Sequence, residues 1–326
     1  MRKITIGVTG TGSLIGQAII KSIKNSIFKD EVRLAGFDYI DGTIGSCWVD
    51  TNFLLPDFLK KEISEVQWLA ALIDIIIRED ISILLIGIDF ELSLFAKFKD
   101  KIESQTNCKV IVSDSRVVEI ADDKYLTCQF LKEHNYTYPK TYLPEDTDIK
   151  NIKFPCVLKP RHGAGSKNVR IINSKKELNN LLPSAHDCIV QEFIGSVSQE
   201  YTCGVIFFDN MVKEMIVLRR ELKNGVTVAA HYRVDTHKVI SQYVSNIAMA
   251  LKPYGACNFQ LQLDPEGTPK LFEINSRHSG TTYMRAIFGF KEVEYILSYL
   301  LGRAVKKFVL SEGTIKRFYE ETFIYA

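Results

Sequence analysis

Between Asn258 and Thr282 the chain reads NFQLQLDPEGTPKLFEINSRHSGTT, two alternating runs on either side of a turn-forming PEGT. A hairpin with that turn sets Asp264 opposite Pro269, Gln262 opposite Leu271, Gln260 opposite Glu273 and Asn258 opposite Asn275. Because strand side chains alternate, Asn258, Gln260, Glu273 and Asn275 share one face, with cross-strand neighbours about 5 Å apart. Phe259, Leu261, Phe272 and Ile274 take the other, buried face. One carboxylate among amide oxygens suits a hard cation such as Mg²⁺, which keeps further oxygens from a phosphate chain at about 2.1 Å. A calcium cage would need more carboxylates. Directly beyond stand Arg277, Ser279, Thr281 and Thr282, a fixed cation and hydroxyls of the kind that stabilise a transferring phosphoryl group. Taken alone, the polar face of a hairpin is more often only the solvent side of a sheet.

A second candidate is CVLKPRHGAGSKNVRI, residues 156 to 171, which opens as a strand and ends it on Lys159. Gly163 and Gly165 permit backbone conformations in which N–H groups converge on phosphate oxygens, and Ser166 adds a hydroxyl. The spacing is not that of a Walker loop. Lys159 supplies charge: at 4 Å and an effective dielectric near 20, one such pairing is worth on the order of 4 kcal/mol before desolvation. Lys124, in Asp123-Lys124, is the second lysine of this kind.

The amino-terminal VTGTGSLIG follows a strand and opens a helix, and Asp38 ends the next strand. That invites a dinucleotide reading, and with it a nicotinamide-dependent oxidoreductase, but the glycine spacing is GxGxxxG rather than the fingerprint. His162 and His278 have no Asp or Cys at triad-like spacing and are expected as polar contacts rather than bases.

The elements that must position these groups fall into two styles. Residues 1–112 alternate strands and helices: KITIGVTG, a helix from Leu14 to Lys24, VRLAGFD, a helix ending near Arg78, SILLIGID and KVIVSD. This is the pattern of a doubly wound parallel sheet in an α/β protein. Residues 113–190 begin with a helix bearing Leu126, Phe130 and Leu131, then hold the glycine loop, a helix over Lys175 to Leu182 and the strand CIVQEFI. Residues 191–326 carry two antiparallel hairpins, the first turning at Asp209-Asn210, and the stretch beyond Gly302 shows no pattern. In the first hairpin Glu200 faces Arg219, which allows an ordinary cross-strand ion pair.

At 326 residues and 46% apolar composition the chain is long enough for several subdomain cores. Its 41 basic and 39 acidic residues are interspersed, so no field of one sign recruits nucleic acid or a membrane surface. The longest apolar run, WLAALIDIIIREDISILLIGID, is broken by Asp74 and Arg78-Glu79-Asp80, too soon for a spanning helix. Seven scattered cysteines without a CxxC pair read as buried, reduced thiols of a cytoplasmic protein.

The order DDK, VLKPRHGAGS, VQEFI followed by EYT, NFQ and EINSRHSGTT resembles the ATP-grasp superfamily, in particular its carbamoyl-phosphate-synthase-like carboxylate-amine ligases. The resemblance implies a pre-ATP-grasp subdomain followed by a two-lobed α+β domain with nucleotide between the lobes. It places Lys124 and Lys159 on ATP phosphates under a closing loop from Gly163 to Ser166. Gln191, Glu192, Phe193 and Ile194 become the hinge that reads adenine, and Glu200 holds the ribose, with Gln199 as its substitute because the gap after Glu192 is one residue long. Gln260, Glu273 and Asn275 hold magnesium, although many relatives have an acidic residue where Gln260 stands, and Arg277 contacts the reacting phosphoryl group. Gly12, Ser13, Arg219, Ser279 and Thr281 are expected on the substrate side. The implied reaction joins a small-molecule carboxylate to an amine through an acyl phosphate; a non-catalytic ATP sensor on the same fold is the alternative. A homodimer is the base-rate expectation.

Overall fold

The computed structural model describes residues 3–146, 151–163, 165, 168–195, 199–234 and 237–323. Ser166, a candidate of the glycine loop, lies outside the described residues. The first unit is a parallel sheet in the order β3-β2-β1-β4-β5, built from β1 (Ile4–Thr9), β2 (Val32–Asp38), β3 (Thr51–Leu54), β4 (Ile81–Leu85) and β5 (Lys109–Ile111). The helices α1 (Leu14–Lys24), α2 (Glu65–Arg78) and α3 (Leu92–Gln105) connect its strands. Strand order reverses between β1 and β4, so the loops that follow these two strands border the crevice where such sheets bind ligands. Ser13 caps α1, its Oγ accepting from the Gly16 N–H at 2.9 Å.

Two helices come next, α4 (Ser115–Asp122) and α5 (Lys124–Glu133). A four-stranded antiparallel sheet, β6-β9-β7-β8, comprises β6 (Thr141–Tyr142), β7 (Cys156–Pro160), β8 (Arg170–Ile172) and β9 (Cys188–Glu192), with α6 (Lys175–Leu181) between β8 and β9. It has its own small core of Ile152, Cys156, Leu158, Ile172, Leu178, Ala185 and Val190. The expected boundary at 190 therefore falls inside β9. The expected boundary at 112 also needs correction in content: Val117, Ala121, Phe130 and Leu131 of α4 and α5 pack into the core of the last sheet, not into that of the four-stranded one.

The last sheet runs β14-β13-β10-β11-β12-β15. Its strands are β10 (Glu200–Phe208), β11 (Met211–Lys223), β12 (Val226–Tyr232), β13 (Gly255–Leu263), β14 (Pro269–Asn275) and β15 (Gly313–Lys316), accompanied by α7 (Lys238–Leu251), α8 (Thr282–Ile287) and α9 (Glu292–Leu300). The stretch without a sequence pattern thus supplies an edge strand. One face of the sheet packs on α7, and the other shares a core with the first unit, in which Ile6, Val8, Ile15 and Ile19 meet Ile206, Phe208, Ile216, Leu218 and Ile296. That shared apolar contact fixes the loops after β1 and β4 against the hairpin face. Among the described residues no helix is long and apolar enough to cross a membrane. All seven cysteines are free, yet Cys47 is exposed and Cys188 half-buried, against the expectation of uniform burial.

The amino-terminal glycines serve packing. A Cβ on Gly16 would lie 2.1 Å from the Gly10 carbonyl oxygen, and one on Gly87 would lie 2.2 Å from that of Thr9, so the backbones after β1 and β4 touch. Asp38, which the dinucleotide reading needs for a ribose, is bound by its own loop: it accepts from the Gly12 N–H at 2.6 Å and from Thr11 Oγ1 at 3.0 Å. Helix propensity alone says that Gly16→Ala stabilises by about 1 kcal/mol. The clash with backbone reverses the sign, and urea unfolding is expected to show a loss of about 2 kcal/mol or more; a gain in stability would show that α1 does not sit this close.

Candidate active site

The β13–β14 hairpin keeps the expected pairs Asn258–Asn275 and Gln260–Glu273, then shifts by one residue. Beyond the shift Leu261 faces Leu271, Gln262 faces Lys270 and Leu263 faces Pro269, correcting the expected Gln262–Leu271 and Asp264–Pro269 pairs. The extra residue is a β-bulge around Phe272, and a bulge sets two consecutive side chains on one side of a strand. Leu271 and Ile274 remain in the core, while Phe272 and Glu273 both line the cleft. Phe272 was expected in the core; instead Lys159 Nζ stands 5.3 Å from its ring centre, a cation–π contact.

The oxygens around Glu273 are oriented by arginines. Asn275 donates to Glu273 Oε1 at 3.1 Å and accepts from Arg277 Nη2 at 2.9 Å, and Gln260 Oε1 accepts from Arg220 Nη2 at 2.6 Å. Each amide oxygen has a second lone pair. Glu273, Asn275 and Gln260 therefore fit a hard cation that takes its remaining ligands from phosphate and water. Among the described residues no cluster of three or more His, Cys, Asp or Glu side chains could hold a metal, so amide oxygens would have to complete the set. Arg277 itself is held from the first unit: its Nε donates to Asp89 Oδ1 at 2.7 Å.

Lys159 is the penultimate residue of β7 and is buried. Burial pushes its pKa down to about 8; Glu273 opposes the shift and nearby Lys124 adds to it. Lys124 begins α5 and reaches the glycine loop, donating to the carbonyls of Gly163 at 2.7 Å and Arg161 at 3.3 Å. Arg161 pairs with Asp123, which caps α5. Gly163 and Gly165 hold φ of 95° and 76°, values that favour glycine. Lys124, Lys159 and Gly163 line a cavity of 540 Å³ together with Gln191, Glu192, Phe193, Ile194, Glu200, Gln260 and Glu273. Gly165 lies outside that group and lines a second chamber of 340 Å³.

Within the hinge stretch Gln191 Nε2 donates to Thr141 Oγ1 at 2.8 Å, and Glu192 Oε1 accepts from Lys270 at 3.0 Å. Glu200 is buried and Gln199 exposed. The first hairpin also slips by one residue, between Ile206 and Phe207, so that Tyr201 faces Arg219. Glu200 consequently pairs with Arg220, whose Nε donates to its Oε1 at 2.9 Å. The expected partner, Arg219, stands on the opposite side of β11, 3.7 Å from Glu221. Arg220, not Arg219, lines both the 540 Å³ cavity and the second chamber.

That second chamber is lined by Ser13, Asp89, Thr202, Asn258, Arg277, Ser279 and Thr281, and it shares Gln260, Glu273 and Arg220 with the first. Gly12 is not among its lining residues, its N–H being taken by Asp38. Beneath the chamber lies a buried polar network. His278 Nδ1 is 2.9 Å from Glu292 Oε1, and Arg285 Nη1 donates to Glu292 Oε2 at 3.1 Å. These partners hold the Glu292 carboxyl near a pKa of about 2 against the opposing effect of burial. His162 likewise has a carboxylate, Asp122, at 2.9 Å. Both histidines thus have acidic partners that spacing along the chain did not reveal. Asp89 and Arg220 were missed as well. The switch-point position of the loop after β4 could have pointed to Asp89; no local pattern separates Arg220 from Arg219.

The ATP-grasp domain family model matches residues 121–281. The carbamoyl-phosphate synthase of Methanobrevibacter smithii is 24% identical over 216 residues, 61% of this chain, and the match spans 58% of that relative's length. N5-carboxyaminoimidazole synthetase from Staphylococcus aureus complexed with ADP superposes with a TM-score of 0.73 at 15% identity, over 95% of this chain and 81% of that one. L-amino acid ligase from Bacillus licheniformis superposes with a TM-score of 0.70 at 15% identity, over 92% of this chain and 75% of that one. At such identities the structural likeness speaks for the fold.

The corrected register has a measurable consequence. Arg220 and Glu200 are nearly buried, with side chains 10% and 9% exposed, so Arg220→Ala strands a carboxylate and should lower unfolding stability by about 3 kcal/mol. Arg219→Ala should change it by less than about 1 kcal/mol. Equal losses in urea unfolding would return Arg219 to the pair.

Proposed function

The chain carries an ATP-grasp domain over residues 121–281, and from that premise we propose that it is an ATP-dependent carboxylate-amine ligase, working through an acyl phosphate on two small-molecule substrates. The observation that carries this reading is the meeting of two chambers at Glu273, Gln260 and Arg220. The larger, floored by Lys124, Lys159 and the hinge, takes the nucleotide; the smaller, lined by Arg277 and hydroxyl groups, takes the acceptor. Their common wall is where a phosphoryl group would cross.

Magnesium, when bound to Glu273, Asn275 and Gln260, neutralises charge on the phosphate chain. The chain's own residues do the rest. Lys159 binds phosphate oxygens from a site where burial strengthens the attraction. Arg277, held between Asp89 and Asn275, draws charge from the transferring group as the substrate carboxylate oxygen attacks phosphorus and the bond to ADP breaks, its electrons leaving with ADP. The amine then attacks the acyl carbon, phosphate departs with the C–O electron pair, and the amine proton passes to solvent or phosphate. No covalent enzyme intermediate is involved, so catalysis rests on placement and charge.

ADP release under a panel of paired carboxylates and amines, with mass measurement of the condensed product, tests the reaction. In that assay Glu273→Ala is expected to lower turnover at least about a hundredfold with little change in the unfolding midpoint; normal, magnesium-dependent turnover would remove the site assignment.

A second expectation concerns pH. Phosphate binds the protonated form of Lys159, which is fully present below its pKa of about 8 in the free protein. As pH rises through that value, calorimetric affinity for ADP should weaken by up to about tenfold per pH unit, whereas Lys159→Arg keeps its charge and should flatten the profile. The same slope in both proteins would place the phosphates elsewhere.

A further inference from the structure

Three guanidinium groups line the smaller chamber: Arg220, Arg277 and Arg317. Two are already matched by carboxylates, Arg220 by Glu200 and Arg277 by Asp89. Arg317 has no carboxylate within ion-pair distance among the described residues; its Nη2 donates to the Gly280 carbonyl at 2.6 Å. Its backbone is fixed, because β15 pairs with β12 and the Arg317 N–H continues that ladder to the Val228 carbonyl at 2.7 Å. Burial lowers its pKa, the mark of a guanidinium partly withdrawn from water without a counter-charge. It also lies beyond the residues matched by the family model, so nothing about the domain as a class assigns it.

A second observation concerns the wall of the same chamber. Asn258 lines the chamber and is 1% exposed. Its Oδ1 accepts from Thr202 Oγ1 at 2.7 Å and from Arg285, which fixes the amide orientation, and its Nδ2 has no hydrogen-bond partner. A buried N–H donor without an acceptor is costly, and this one leaves the amide of a chamber-wall residue incompletely satisfied.

We propose that the smaller chamber binds a small dicarboxylate, of the size of an acidic amino acid, with one carboxylate at Arg277 for phosphorylation and the other on Arg317. This rests on the ligase reading. A volume of 340 Å³ is at the low end for ligand sites and suits such an acid. The unmatched cation asks for one negative charge beyond that of the reacting group. Arg317 is then the residue that selects acidic substrates over neutral ones.

Isothermal titration of the protein loaded with MgADP separates the possibilities, with L-aspartate, L-glutamate, succinate and glutarate as probes against L-2-aminobutyrate, L-norvaline, butyrate and valerate respectively. In the wild type at least one dicarboxylate should bind about tenfold or more tightly than the monocarboxylate of matching length. Arg317→Gln should abolish that preference and Arg317→Lys should keep part of it, with ADP affinity unchanged in both. A residue that only staples Gly280 would alter the melting temperature and leave the preference intact. The inference is overturned if no dicarboxylate binds the loaded wild type, if mono- and dicarboxylates bind alike, or if Arg317→Gln retains the preference. Failure of the wild type to bind MgADP at all would instead bring down the ligase reading beneath it.

Discussion

Arg277 is the point on which the site turns. Its guanidinium bonds Asp89 from the parallel-sheet unit and Asn275 from the last sheet, so one cation ties together two units whose sequences meet only in space. A guanidinium held on two sides by acceptors has little rotamer freedom left to lose, so under the proposed reaction it would offer preorganised positive charge to a phosphoryl group. The contact also sets the spacing between the loop after β4 and the hairpin face, and hence the shape of the smaller chamber.

Charge balance explains much of the remaining arrangement. Glu200 answers Arg220, Asp89 answers Arg277, Asp123 answers Arg161, and Glu292 answers Arg285 and His278. Each pairing keeps a partly or fully buried charge from standing alone, which would cost several kcal/mol. Lys159 departs from that pattern. Glu273, Glu200 and the ring of Phe272 offset its burial only in part, and its lowered pKa records an imbalance that an incoming anion would relieve.

Two β-bulges decide which side chains face the cleft. The slip in β10–β11 brings Arg220 to Glu200, and the bulge at Phe272 turns that ring from the core toward Lys159. Both changes are invisible to strand alternation, because alternation assumes an unbroken ladder, and one extra residue inverts every position beyond it. The same limit hid the pairings of His162 with Asp122 and His278 with Glu292, whose members lie on separate elements.

What the sequence determined by itself was local and periodic. Helix α1 and strand β2 appear within their expected bounds, and Gln260 and Glu273 meet as the PEGT turn requires, since hydrophobic period, caps and turn residues act over a few residues. Lys124, Lys159 and the glycines stood out for a similar reason, since their types and order along the chain suit phosphate chemistry, and the fold gathers Lys124, Lys159 and Gly163 on one cavity. Only the tertiary structure decided that Asp89 holds Arg277, that Arg220 displaces Arg219, that Gly12 faces Asp38, and that a patternless tail delivers Arg317 to the chamber. Those outcomes depend on sheet slip and on packing between units far apart in the chain, where the deciding energies are contacts that no window of sequence contains.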